Sequence, residues 1–574
     1  MNKKIRNYLQ EVFQPEFFKL IKERNYSRKT FISDLTSGII VGIVAIPLAI
    51  AFGIASGVSP QQGLITAIIA GFIISFFGGS SVQIGGPTGA FIVIIFGIVT
   101  EFGINGLIIA TVLAGIMLVL IGLFKFGNII KFIPYPIIVG FTSGIAIVIF
   151  TSQIKDFFGL TMTEVPSEFV DKWGAFFRSF HTINWWATGI SILTILLIVF
   201  IPRFIKKAPS ALIAIVLLTV IAYFLKSIYS IDIDTIGSKF PELSGGAPLP
   251  TPEAPKIDAK AVRMLFPAAF TIAMLGAIES LLSAMVADGV TGKKHNSNTE
   301  LIAQGIANIF TPFFGGIPAT GAIARTMTNI NNGGKTPVSG IIHAIFLLLV
   351  YLFLMPLAVH IPLACLAGVL AVVSYNMSEW RSFKLLLKGP KADVIVLLTT
   401  FFLTVVFDLT IAIEIGLLLA VVLFLKRVSE TSKISMLEKE LSVSENPEAE
   451  DVERLDIPLG VEVYEINGPF FFGLANKFEE IDSRTVKVLP IVRIIRMRRV
   501  PFIDSTGINN LRNLYKRSLK SGITLVLSGV TSEVYETLKT SGIVNEIGKE
   551  NICNHISLAI KRTEEILKEK SIEE

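Results

Sequence analysis

No Asp, Glu, Lys or Arg occurs between Leu35 and Thr100. As one helix these 66 residues would be roughly 100 Å long, against a hydrocarbon core of about 30 Å. The run must fold back on itself as about three membrane spans. Its breakers mark the joints: Gly57-Val58-Ser59-Pro60 and Gly78-Gly79-Ser80-Ser81. Further uncharged runs follow at 102–124, 132–154, 182–202, 208–225, 264–278, 301–324 and 336–378, the last long enough for two spans with a joint near His360-Ile361-Pro362. A final pair lies at 391–427, divided near Asp408. The expected total is about 14 spans, the one after Pro318 being short.

Charge is concentrated at the other end. Residues 429–574 hold 44 of the 96 Asp, Glu, Lys and Arg of the 574-residue chain. The two cysteines and five histidines show no disulfide framework and no metal-ligand spacing. The net charge of +6 comes without a basic stripe interleaved with aromatics, so nucleic acid is not an expected partner. About 30 mostly polar residues precede the first apolar run, and no cleavable signal is expected there. No catalytic constellation stands out, so an enzyme is not expected.

Loop charge sets the expected orientation. The N-terminal tail carries Lys3, Lys4, Arg6, Lys19, Lys22, Arg24, Arg28 and Lys29 against three Glu. The loops after spans 4, 6 and 12 carry Lys125/Lys131, Arg203/Lys206/Lys207 and Arg381/Lys384/Lys388. The loops after spans 5 and 7 carry Glu164/Glu168/Asp171 and Asp232/Asp234/Glu242/Glu253. This alternation predicts a multi-pass protein of the cell (plasma or inner) membrane with both termini cytoplasmic.

The tail reads as a small α/β domain. Strands are expected within 459–473, 491–504 and 523–529, and helices over 505–522 and 531–542. The expected organisation is a tail at 1–29, a membrane domain at 30–428 with repeats at about 30–228 and 260–428, a linker at 429–456, the α/β domain at 457–565 and a last tail at 566–574.

One phrase occurs twice. Pro87-Thr88-Gly89-Ala90 in the first half returns as Pro318-Ala319-Thr320-Gly321-Ala322 in the second. Each reads as a break followed by a helix start, since proline suits a first helical turn. A helix start presents free N–H groups and partial positive charge, which suits an anion. Seven spans per half is odd, so the second half would be inserted upside down. Two half-helices would then aim at one midplane site, as in inverted-repeat transporters. Small-residue packing between helices is the plainer alternative.

Charges inside the spans are few. Glu279 falls in the middle of span 8, where a carboxylate is costly unless it faces a cavity or a partner. It is a candidate proton carrier, or a cation ligand with Ser283 one turn on. Arg325 can add positive potential to the anion site or pair with a carboxylate, Glu279 being the specific candidate. Asp34, Asp288, Glu101 and Lys125 read as interfacial, Asp408 and Glu414 as fold-related, and His343 as a packed, hydrogen-bonded residue.

The stretches 34-DLTSGIIVGIVAIPLAIAFGIASG-57, 84-IGGPTGAFIVI-94, 275-LGAIESLLSAMVADGVTG-292 and 315-GGIPATGAIARTMTNI-330 resemble the SulP/SLC26 anion transporters. The segment 502-FIDSTGINNL-511 resembles a STAS domain. Together they cover nearly the whole chain, from about 28 to 565. The resemblance implies an α-helical polytopic membrane protein with 7+7 inverted repeats, divided into core and gate and usually assembled as a homodimer, followed by an α/β STAS domain. It implies an anion held between the N-termini of spans 3 and 10. Thr88, Gly89 and Ala90 would contribute from span 3, and Gly321, Ala322, Ile323 and Ala324 from span 10, largely through backbone N–H. Glu279 matches the family's span-8 carboxylate.

Three positions depart from family patterns. Leu48 stands where many sulfate-type members have Gln. Glu279 and Ser283 replace the Asp and Thr of sodium-coupled bicarbonate members, which leans towards H+ as coupling ion and leaves Na+ open. Ile323 lacks the hydroxyl of some bicarbonate carriers. Substrates of the C4-dicarboxylate type stay open beside inorganic oxyanions, and an uncoupled channel or a STAS-mediated sensor are the competing classes. In the tail, Asp504-Ser505-Thr506 matches the motif whose third residue is phosphorylated in anti-sigma antagonists. The resemblance makes a dimerisation and trafficking role, with a cytoplasmic protein partner, the commoner use of such a domain.

Overall fold

A computed structural model of the chain describes residues 12–23, 26–128, 134–162, 166, 169–204, 209–229, 231, 233–241, 259–407, 409–437, 440–442, 454–474 and 490–573. The expectations for Lys3, Lys4, Arg6, Arg24, Lys131, Glu164, Glu168, Lys206, Lys207, Asp232, Glu242, Glu253 and Asp408 lie outside these residues. The chain divides into two compact units, Met1–Leu419 and Ala420–Glu574.

The first unit opens with α1 (Glu16–Glu23), α2 (Arg28–Ala55) and α3 (Pro60–Phe77). The joint between α2 and α3 falls where the breakers lie. Ser59 and Gln62 form a reciprocal capping box, Pro60 occupies the first turn, and Gly57 takes φ +77°. A short strand β1 (Gly85–Gly86) leads into α4 (Ile92–Leu123). Gly103 interrupts α4 with φ 66° and ψ −172°, so it is two spans in sequence. Then come α5 (Tyr135–Phe158), α6 (Phe169–Ser179), α7 (Trp185–Phe204), α8 (Ser210–Tyr229) and the short α9 (Ile236–Lys239).

The second half repeats the plan with α10 (Ala259–Thr291), α11 (Ser297–Phe310), strand β2 (Thr320–Gly321), α12 (Ile323–Asn331), α13 (Val338–Ala358) and α14 (Leu363–Met377). After α15 (Trp380–Leu386) come α16 (Lys391–Val406) and α17 (Leu409–Thr431). Among the described residues, nine helices are long and apolar enough to cross a membrane. Dividing α4 at Gly103 and adding the shorter α11, α12, α16 and the late α17 gives seven segments in each half. Segment α12, nine residues long, reaches only about 14 Å.

Packing follows the inverted plan. Helix α2 lies on α13 as α10 lies on α4, and α3 lies on α13 as α11 lies on α4. Helix α5 lies on α16 as α14 lies on α7. Exchanging each helix with the one seven places on leaves these contacts in place. Two bundles result: α2, α3 and α4 with α10 to α13, and α5, α7 and α8 with α14, α16 and α17. Close backbone approach holds the first bundle together, as expected where lipid removes the hydrophobic drive between helices. A Cβ on Gly115 would lie 2.7 Å from the carbonyl oxygen of Gly305, and one on Gly305 would lie 2.6 Å from that of Gly115.

Two buried carboxylates tie loops to helices. Asp34 is not interfacial but fully buried: it accepts from the amides of Lys335 and Thr336 at 2.7 and 3.3 Å and from the Thr336 hydroxyl at 2.5 Å. Tyr26 donates to the same carboxylate at 3.2 Å. Glu300, also fully buried, accepts from the amides of Gly79 and Ser80 at 2.9 and 3.1 Å. His343 is fully buried as expected, but neither ring nitrogen has a hydrogen-bond partner.

The second unit carries a five-stranded sheet of order β3-β6-β7-β8-β9: β3 (Lys433–Leu437), β6 (Val461–Asn467), β7 (Val492–Arg499), β8 (Thr524–Ser528) and β9 (Ile552–Cys553). Only the β3–β6 pair is antiparallel. A separate pair joins β4 (Glu440–Ser442) to β5 (Arg454–Asp456). So part of the expected linker at 429–456 is sheet, its alternating Ile434-Ser435-Met436 completing the edge beside β6. The helices are α18 (Ser505–Lys520), α19 (Ser532–Thr540), α20 (Ile543–Ile547) and α21 (Ile556–Glu573). One face of the sheet packs Tyr464, Ile495 and Leu527 against Leu511, Leu514 and Val534, each aliphatic contributing about 1.5–3 kcal/mol by burial. The other face packs Val463, Ile494 and Val526 against Ile556, Ala559 and Ile560.

Candidate functional site

The two copies of the repeated phrase meet. Strands β1 and β2 pair antiparallel, Gly85 opposite Gly321 and Gly86 opposite Thr320. The Ala322 amide extends the pair by donating to the Ile84 carbonyl at 2.9 Å. Just beyond β1, a short 3-10 turn at Gly89–Phe91 feeds α4, and just beyond β2, α12 starts at Ile323. Thr88 and Ala322 are the N-cap residues, and neither start has a side-chain cap. The first amides of each helix have no acceptor one turn back. Broken backbone at membrane depth is tolerable because the polar groups behind it are matched. Asn308 donates to the Ala319 carbonyl at 2.8 Å and accepts from its amide at 2.9 Å, and Thr66 accepts from the Ile317 amide at 2.7 Å.

Glycine is required on steric grounds at both strands. Gly86 has φ +146°, and a Cβ there would lie 2.3 Å from Arg325 Nη1. A Cβ on Gly321 would lie 1.5 Å from Gln83 Nε2. A Cβ on Gly89 would lie 2.8 Å from Met377 Sδ and 3.2 Å from Ile149 Cδ1. Met377 and Ile149 belong to α14 and α5, so the first helix start lies against the second bundle.

Side chains from three helices converge here. Thr88 Oγ1 donates to Glu279 Oε2 at 2.9 Å, which brings the half-buried carboxylate of α10 beside the first helix start. Arg325 is 3% exposed and donates to the carbonyls of Gly85, at 3.4 Å, and Pro87. Among the described residues it forms no ion pair with Glu279; its charge is set into the opposite strand instead. Ser283 does not join Glu279 either. Its hydroxyl donates at 3.1 Å to Thr326, which also accepts from the Ile84 amide at 3.1 Å. Thr88, Gly89, Ala90, Gly321 and Ala322 are buried, whereas Ile323 and Ala324 are exposed.

Four supports were not singled out by sequence: Gln83, Thr320, Thr326 and Asn329. Gln83 donates to the Ser280 carbonyl at 3.2 Å, and its own carbonyl oxygen is buried without a partner. Thr320 donates to the Gly276 carbonyl at 2.9 Å. Asn329 donates to the Val82 carbonyl at 2.8 Å and to Ser339 at 2.9 Å, and accepts from Ser37 at 2.7 Å. Their signal is a polar residue spaced along an otherwise apolar run next to a break.

In the second unit, Asp504 caps α18, accepting from the Gly507 amide at 2.7 Å and the Phe472 amide at 3.1 Å. Ser505 is exposed and Thr506 half-buried in the first turn.

These features define a multi-pass helical membrane protein with paired discontinuous spans and a separate α/β tail. Residues 31–400 match the sulfate permease family and residues 454–559 match the STAS domain. The chain belongs to the sulfate permease (SulP/SLC26) family. It is 43% identical over 534 residues to YvdB of Bacillus subtilis, named for sulfate transport, covering 93% of this chain and 98% of YvdB. It is 33% identical over 468 residues to the bicarbonate transporter BicA of Picosynechococcus, covering 77% and 79% of the two chains. The solved structure of SLC26A9 superposes with TM-score 0.83 at 17% identity, covering 99% of this chain and 95% of that one, which shows a common fold.

Proposed function

We propose that this chain is a secondary active transporter of small inorganic oxyanions, of the sulfate and bicarbonate kind. The anion binds between the starts of α4 and α12, and proton movement through Glu279 drives uptake. The observation that carries the reading is the β1–β2 pair, which sets two uncapped helix starts side by side at one level. Preorganised amides there suit an oxyanion without a basic side chain in contact. Thr88 adds a hydroxyl, and Arg325 contributes positive potential while its hydrogen bonds go to the strand. Family membership and relatives named for sulfate and bicarbonate transport support the substrate class.

The mechanism follows from the two bundles. The helix starts belong to the first bundle, and Met377 and Ile149 of the second lie against Gly89. Movement of one bundle past the other exposes the site to either side. The Thr88–Glu279 hydrogen bond couples occupancy to protonation. An anion at the Thr88 hydroxyl competes with the carboxylate for that donor, and protonating Glu279 removes the repulsion between the two negative groups. The expected assembly is a homodimer in the cell membrane, with both termini cytoplasmic. Flux of labelled sulfate, bicarbonate and succinate into proteoliposomes, with proton or sodium gradients imposed separately, tests the reading. Accumulation of an oxyanion driven by a proton gradient supports it, while movement of no anion under any gradient overturns it. Accumulation driven only by sodium assigns Glu279 to cation binding instead.

A further inference from the structure

Helix α6 has only two buried residues, Lys172 and Phe176. Phe176 packs with Ile154 and Leu160 at the end of α5, which anchors the helix. Lys172, one turn earlier, is thereby turned inward. Its side chain is 7% exposed, and the ammonium lies 5.5 Å from the Phe96 ring centroid on α4. Among the described residues it has no hydrogen-bond acceptor and no ion-pair partner. An ammonium so far removed from water is ordinarily paired. Burial lowers its pKa from the usual lysine value.

The same lysine lines a cavity of about 1280 Å³ between the two helix bundles. Ile92 and Val93 in the first turn of α4 line it too, so it reaches the region of the first helix start. Phe96 lies about 10 Å along the helix axis from Ala90. Thr151 of α5 lines the cavity as well, and its hydroxyl is buried without a partner. The other charges around this space are Glu101 on α4, Lys155 and Asp156 on α5, Lys239 on α9 and Glu414 on α17. Glu101, Lys239 and Glu414 are exposed at the protein surface; Lys172 is the buried one.

We infer that Lys172 is an outer anion subsite, which takes a small oxyanion in the vestibule before it passes to the helix starts at Thr88–Ala90 and Ala322–Ala324. The inference rests on the transport reading above. A buried cation beside an aromatic face attracts an anion strongly. Its contribution is one-sided: it acts on anions arriving from the membrane face that carries α6.

The test uses full-length protein in proteoliposomes with labelled sulfate and labelled bicarbonate as probes. With the two native cysteines, Cys365 and Cys553, replaced by Ser, the thiol introduced by Lys172→Cys is the single target for modification, reached through the cavity that Lys172 lines. Lys172→Cys raises KM from the α6 side by about tenfold, the worth of one charge-assisted hydrogen bond, and leaves KM from the opposite side unchanged. An aminoethyl methanethiosulfonate reagent, which restores the ammonium, lowers KM again; a neutral methyl reagent does not. Equal effects of the two reagents, an unchanged KM, or a loss equal from both sides overturns the inference. Lys172→Arg, which keeps the charge, checks folding by retaining uptake. Wild-type protein that moves neither anion sinks the transport reading itself, whereas wild-type flux with a silent Lys172→Cys sinks only the subsite.

Discussion

Thr88 on the first unwound segment and Glu279 on α10 share one hydrogen bond of 2.9 Å, across 191 positions of sequence. It makes the start of α4 and the carboxylate of α10 a single unit. Glu279→Gln keeps an acceptor for Thr88 and removes the titration. The expected outcome is loss of proton-driven accumulation, with equilibrium exchange of labelled anion retained. Exchange and accumulation falling together would assign Glu279 to structure.

Gly321 is held free of a side chain by Gln83, whose amide nitrogen sits 1.5 Å from where a Cβ would be. Gly321→Ala must displace Gln83 from the Ser280 carbonyl or break the β1–β2 pair. Overpacking of this kind costs about 1–3 kcal/mol. The thermal midpoint of purified protein should fall and uptake should be lost. The double variant Gly321→Ala with Gln83→Ala should recover part of the midpoint, which a melting curve reads directly.

Arg325 reaches two carbonyls of the opposite strand. A lysine there is a point charge with no planar fork, so Arg325→Lys should keep the potential but loosen β1. Uptake should fall about tenfold or more, with amide exchange at 84–86 speeding up. Normal uptake in Arg325→Lys would mean that charge alone matters.

Tyr26 precedes α2, and burial together with Asp34 raises its pKa to about 12. A raised acid stabilises the fold in its protonated form, fully below the ordinary tyrosine pKa near 10, and loses that contribution as pH climbs towards 12. Tyr26→Phe removes the hydrogen bond to Asp34. The midpoint gap between wild type and Tyr26→Phe should be constant below pH 10 and shrink above it. A gap independent of pH up to 12 contradicts the assignment.

Asp504 fills the N-terminus of α18 with its own carboxylate. Asp504→Ala should cost about 1 kcal/mol and raise amide exchange at Gly507 about fivefold. A phosphate on Thr506 would meet a helix start already occupied by negative charge. Thr506→Glu should therefore lower the domain's stability when Asp504 is present and stabilise it in Asp504→Ala. The two changes measured alone and together separate these effects.

The span pattern was legible because lipid excludes charge over a fixed thickness, so Leu35–Thr100 had to fold back at its breakers. The joint at Ser59-Pro60 appeared as written, because capping chemistry is local. The repeated phrase announced two helix starts. That they hydrogen-bond to each other was not legible, since a two-residue strand of Gly-Gly and Thr-Gly carries no alternating pattern. For Arg325 the sequence left two roles open, added potential or a carboxylate partner, because it shows charges but not the carbonyls of Gly85 and Pro87 that the guanidinium reaches. Asp34 looked like a residue at a span edge, and Glu300 was not singled out. Their burial depends on amides brought from about 300 and 220 positions away.

Gly89 sits beneath Met377 and Ile149 without a side chain of its own. Main-chain amides are chemically alike in every protein, so that floor offers selection nothing to vary. The ceiling is free to vary, because two apolar side chains on the other bundle can be exchanged without touching a hydrogen bond. On the proposed function, divergence in anion size among relatives should be written in positions 149 and 377, while the amides opposite stay mute.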